Sequence, residues 1–81
     1  MTLIYIEWFD SSLQNGEVHR KELSPRTVLH SAGILVSEDG DHVSFAADQY
    51  EEDADRFRYV SHIPKVNIVR TQRFEVKEEQ E

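Results

Sequence analysis

The sequence predicts an all-β domain: a small, strongly bent, five-stranded antiparallel sheet curled into an incompletely closed barrel. Three observations lead there. Apolar and polar residues alternate with period two through short runs separated by turn residues, the pattern of half-buried strands. The chain shows no crossover helix between these runs, so neighbouring strands are joined antiparallel. The longest apolar run, Thr27 to Val36, also contains Gly33. A glycine inside a strand packs no side chain and marks a bulge, a bend or a close approach of backbone.

Strand one is Leu3 to Phe9, rich in β-branched and aromatic residues, with Ile4, Ile6 and Trp8 on one face and Glu7 on the other. Trp8 reads as a core or interface aromatic, and Tyr5, on the opposite face, as an interface or solvent residue. Asp10-Ser11-Ser12 offers turn or N-cap chemistry, Asn15-Gly16 breaks the chain direction and Pro25 stops what precedes it. Between them, residues 11–24 are helix or loop, with Glu17 to Leu23 as a short helical segment too brief to stand without packing. Strand two runs from Arg26 to Ser37 and, after the acidic turn Glu38-Asp39-Gly40-Asp41, strand three from His42 to Ala47. An acidic loop leads to Arg56. Strand four, Phe57 to Ile63, sets Phe57, Tyr59 and Ile63 on one face. Pro64 cannot donate to a ladder, so Ile63-Pro64-Lys65 is a tight corner and Val66 to Phe74 forms strand five. Residues 1–76 make one domain and residues 77–81 an acidic flexible tail.

Eighty-one residues form a core that supplies only a few kcal/mol, and small domains of this size often gain stability from a partner subunit. The edges of an open sheet invite such pairing, and head-to-tail repetition closes a homo-oligomeric ring. There is no cysteine, so no disulfide framework or thiolate metal site is expected, in keeping with a cytoplasmic chain. The apolar start, Leu3 to Ile6, is broken by Glu7 and falls far short of the ~20 residues of a membrane span, so no membrane partner is expected. Sixteen acids against nine bases leave a net charge of −7, a field that disfavours duplex DNA. The acids cluster at residues 48–55 and 78–81, as solvated loop and terminus.

No motif of catalysis or cofactor binding is present. The glycines at 16, 33 and 40 are too scattered for a phosphate loop. No nucleophile elbow fixes a serine, and the histidine spacings fit no metal site. The expectation is therefore a chain without catalytic residues, metal or cofactor.

Trp8 and Asp10, Pro25, Ser31-Ala32-Gly33-Ile34-Leu35, Asp39 to Asp41, Val43 to Ala47 and Ile63-Pro64-Lys65-Val66-Asn67-Ile68 succeed one another over nearly the whole chain. In that order they resemble a family of small bacteriophage-encoded proteins, similar in strand pattern to Sm-like proteins such as the bacterial RNA-chaperone ring. The resemblance implies an Sm-like (SH3-type) barrel and ring oligomers built by edge-strand pairing in the host cytoplasm. It matches Gly33 to the glycine of the bent second strand. It also implies a site for single-stranded RNA or a nucleotide at Asp39, His42, Ser44, His62 and Lys65. Ser44 stands where those proteins carry asparagine, and the spacing from Asp39 is one residue longer. The alternative is a phage accessory or counter-defence protein that binds a host protein, its acidic surface meeting a basic face, or sequesters a small signalling nucleotide.

Overall fold

The computed structural model describes residues 1–10, Arg20 and residues 27–77. The expected helical segment at Glu17 to Leu23, the Asn15-Gly16 break, Pro25 and all of the acidic tail beyond Lys77 lie outside the described residues. Five strands follow one another: β1 (Thr2–Asp10), β2 (Thr27–Glu38), β3 (His42–Gln49), β4 (Phe57–Pro64) and β5 (Ile68–Glu75), the last two joined by a 3-10 turn at Lys65–Asn67. They form one antiparallel sheet in the order β4-β3-β2-β1-β5. The outer strands β4 and β5 do not pair with each other, so the sheet is open.

The period-two pattern of β1 does what the alternation requires. Ile4 and Ile6 are almost fully buried (1% and 0% exposed) and meet Val43, Phe45 and Ile63 in a single core. Trp8, Leu35 and Ile68 pack against its rim, so every strand contributes to it. Each buried isoleucine or valine adds about 1.5–3 kcal/mol by removal of apolar surface from water. Trp8 also donates its indole N–H to Ser31 Oγ at 2.9 Å, satisfying the polar end of a half-buried ring.

Gly33 sits where the sheet is tightest. A Cβ built on it would lie 2.6 Å from the carbonyl oxygen of Ala46 and 2.6 Å from the Phe45 ring. The missing side chain is what lets β3 fold across β2 and seal the core. One residue pair further, the β2–β3 register slips between Leu35 and Ser37, and the β1–β5 register slips between Glu7 and Trp8. Such bulges bend strands and increase twist.

Two sequence expectations need correction. Strand five starts at Ile68, not Val66: the Pro64 corner continues as the 3-10 turn, and Val66 projects into solvent at 92% exposure. Tyr59, expected to share one face with Phe57 and Ile63, is 75% exposed while Ile63 is buried. Its φ is 55°, the one positive value among the described non-glycine residues. That left-handed step takes Tyr59 out of alternation, and the ladder passes from Ala46↔Val60 to Asp48↔Arg58 without an Ala47–Tyr59 pair.

Gly33→Ala is expected to lower stability by about 1–3 kcal/mol, because backbone must move to admit the methyl group. Gly40→Ala, whose Cβ would meet nothing within 4 Å, is expected to stay within about 0.5 kcal/mol of wild type. Urea unfolding of both variants checks the pair; equal stabilities would contradict the packing role of Gly33.

Candidate functional site

The β2–β3 turn and the β4–β5 connector meet at one end of the sheet, and most of the expected site residues lie there. Asp39 shapes the turn. Its Oδ1 accepts the backbone N–H groups of Asp41 and His42, both at 2.7 Å, while its own N–H donates to the His42 carbonyl at 3.0 Å. Those two backbone donors, Asp41 first, hold its carboxyl below the ordinary aspartate range. The Lys65 N–H donates to the Asp41 carbonyl at 2.8 Å, which docks the connector on the turn. His42 pairs with Pro64 in the β3–β4 ladder, and its exposed ring makes no hydrogen bond among the described residues.

Ser44 and His62 are also cross-strand partners, and Ser44 Oγ shares a 2.6 Å hydrogen bond with His62 Nδ1. Ser44 is buried at 6% exposure, so its hydroxyl orients the imidazole and is not presented to solvent. Of the five residues only Ser44 is buried: Asp39, His42 and His62 are exposed and Lys65 half-buried, but the Asp39 carboxylate is engaged by the turn and the Lys65 amine by Glu38. Asp39 and Ser44 fix the turn and the ring.

Glu38, at the end of β2, was not among the expected site residues. Its Oε1 lies 3.1 Å from Lys65 Nζ and its Oε2 2.6 Å from Arg73 Nη2 on β5. One carboxylate thus ties the connector and an outer strand to the turn. The hydrogen bonds from Arg73 first and Lys65 second hold Glu38 below the usual carboxylate range. Beside it lies a shallow cavity of about 230 Å³ lined by Glu38, Val43, Lys65, Ile68 and Thr71. Sequence alone placed Glu38 in a turn; its partners are set by β5 folding back beside β1, a non-local fact.

A second polar cluster crosses the outer face of β2, β1 and β5. Glu7 faces His30 on one side and Arg70 on the other in the ladders. The Tyr5 hydroxyl donates to Glu7 Oε1 at 2.8 Å and lies 2.5 Å from His30 Nδ1. Since a phenol has one proton, His30 supplies the proton of that second bond. Arg70 Nε completes the row at 3.2 Å from Glu7 Oε2. The bond to Glu7 raises the Tyr5 phenol above its ordinary range, and the same bond, with Arg70 and His30 beside it, lowers Glu7. A phenol held protonated in this way orders the sheet surface and is a poor nucleophile. The i, i+2 spacing of Tyr5 and Glu7 was the visible signal; the register that adds His30 and Arg70 was not.

Among the described residues, no group of three or more His, Cys, Asp or Glu is placed to hold a metal ion, and no helix is long and apolar enough to cross a membrane.

A carboxyl depressed by folding adds stability that is complete above the unfolded-state range and is lost as pH falls through its lower folded value. Glu38, Glu7 and Asp39 all act in this sense, so stability is expected to drop on acidification below the normal carboxylate range. Glu38→Gln is expected to destabilise the chain at neutral pH and to make the acid decline shallower. Urea midpoints across a pH series check this, and an unchanged acid slope would contradict the Glu38 bridge.

Set against known protein families, curated proteins and solved structures, the chain matches none of them.

Proposed function

We propose that this chain is a non-catalytic, phage-associated Sm-like subunit that assembles with copies of itself, edge β4 against edge β5, into a ring. The ring binds single-stranded RNA or a nucleotide through His42, His62 and Lys65. The supporting observation is the pair of open edges. Strands β4 and β5 each pair on one side only and carry exposed Tyr59, Val60, Val69 and Phe74. Exposed apolar edges are a liability that proteins blunt or cover. The strand order, the 3-10 turn between β4 and β5 and the tight glycine of β2 support the Sm-like form of the sheet.

At the turn end, His42 offers a ring for stacking on a base, His62 a second imidazole, and Lys65 one cation. Glu38 partly neutralises that cation. Ligand contact is therefore dominated by stacking, with a shallow salt dependence, in keeping with a chain of net charge −7.

A second reading is favoured by the loop after β3. Glu51, Glu52, Asp53 and Asp55 are exposed, and the loop is closed by its own backbone, Tyr50 N–H to the Arg56 carbonyl at 3.0 Å. Such a rigid acidic tip suits the basic face of a host protein.

His42→Ala and Lys65→Ala are each expected to weaken binding of a labelled single-stranded oligoribonucleotide by roughly tenfold, the scale of one lost stacking or charged contact. Fluorescence anisotropy on the assembled protein checks this. Unchanged affinity in both variants would overturn the site; absence of any RNA or nucleotide affinity, together with capture of a basic host protein lost on neutralising the acidic loop, would replace it with the second reading.

A further inference from the structure

Tyr59 is a bulky residue held in the left-handed region on an outer strand. A φ of 55° is a genuine outlier for such a side chain, since its Cβ crowds the following carbonyl. The step turns the phenol ring away from its own core and into solvent at 75% exposure. The Arg58 guanidinium lies 5.3 Å from its centroid, a cation–π contact to a largely exposed ring. Strained backbone of this kind persists only where the surrounding structure fixes it, and it clusters at functional sites.

Beside the other outer strand, the described residues form an apolar groove of about 540 Å³. Met1, Leu3, Ile34, Ala47, Phe74 and Val76 line it. Its far wall is held in place by the Val76 N–H, which donates to the Met1 carbonyl at 2.9 Å and carries the β1–β5 pairing past the end of the strand. Met1, Phe74 and Val76 are each between 44% and 48% exposed. Tyr59 is not among the residues lining the groove of its own chain.

We propose that Tyr59 of one copy seats in this groove of the next copy and anchors the contact between them. The inference rests on the self-assembly proposed above and names its anchor. Strand polarity brings the two features together. β4 and β5 are both eight residues long, and antiparallel pairing sets the start of β4, where Tyr59 lies, against the end of β5 at Phe74 and the Val76 that follows the strand. Charge at that end favours the same pairing. The exposed loop that leads into β4, with Glu51, Glu52, Asp53 and Asp55, would fall past the end of β5, beside the exposed Lys77.

The test is a dilution series in the analytical ultracentrifuge on full-length wild type, Tyr59→Ala, Phe74→Ala and the double variant. Tyr59→Ala is expected to raise the dissociation constant of the assembly by roughly 30-fold, the effect of truncating an aromatic anchor. Phe74→Ala is expected to act in the same direction, and the double variant to fall short of the product of the two, because both remove one contact. Both side chains are exposed, so the single variants are expected to retain the wild-type circular dichroism. An assembled wild type with Tyr59→Ala dissociating at the same concentration would overturn the anchor and leave self-assembly standing. A wild type that is monomeric at every concentration would overturn both.

Discussion

The fold depends on the absence of one side chain. At Gly33 the β3 backbone and the Phe45 ring occupy the place where any other residue would carry a Cβ, and through that gap the second hairpin folds over the first. Ile4 and Ile6 thereby meet Val43, Phe45 and Ile63, and the β2–β3 turn comes within hydrogen-bonding distance of the β4–β5 connector. The constraint is steric and local, yet it sets the curl of the whole sheet. In a core this small, where total stability is a few kcal/mol, a misfit of one methyl group is a large fraction of what holds the chain folded.

Curling without closing has a second consequence. The same bend that buries the core leaves β4 and β5 with one unpaired side each, and apolar residues collect there. Glu38 restrains the open end by bridging Lys65 and Arg73, but it does not supply backbone partners to either edge. On the outer face, His30, Tyr5, Glu7 and Arg70 satisfy one another in a row. Among the described residues, the edges, the acidic tip after β3 and the imidazoles beside Lys65 stay available for recognition.

Much of this was legible in the residues. Alternation marked the strands to within two residues at each end, with strand five and strand three the furthest off, and Gly33 announced a close approach. The acidic turn and the proline corner were placed correctly, because Asp39 and Pro64 act on backbone within a few positions of themselves. What was not legible depended on register between distant strands. Glu38 finds Arg73, and Glu7 finds His30 and Arg70, only once β5 lies beside β1. Tyr59 defeated the pattern for a different reason: period-two alternation assumes extended backbone, and one left-handed residue breaks it without any glycine to give warning. Of the candidate site, the residue types were readable. The burial of Ser44 was not, since it follows from the β3–β4 ladder that sets its hydroxyl against His62.

We propose that the open curled sheet completes itself by pairing its two outer strands with another copy. Hydrogen–deuterium exchange at the amides of β4 and β5, followed as a function of protein concentration, tests it most directly. Both outer strands should gain protection together as concentration rises, while the amides of the inner strands β1 and β3 stay protected throughout. Outer-strand amides that exchange rapidly at every concentration, or protection that grows on only one of the two strands, would contradict the account.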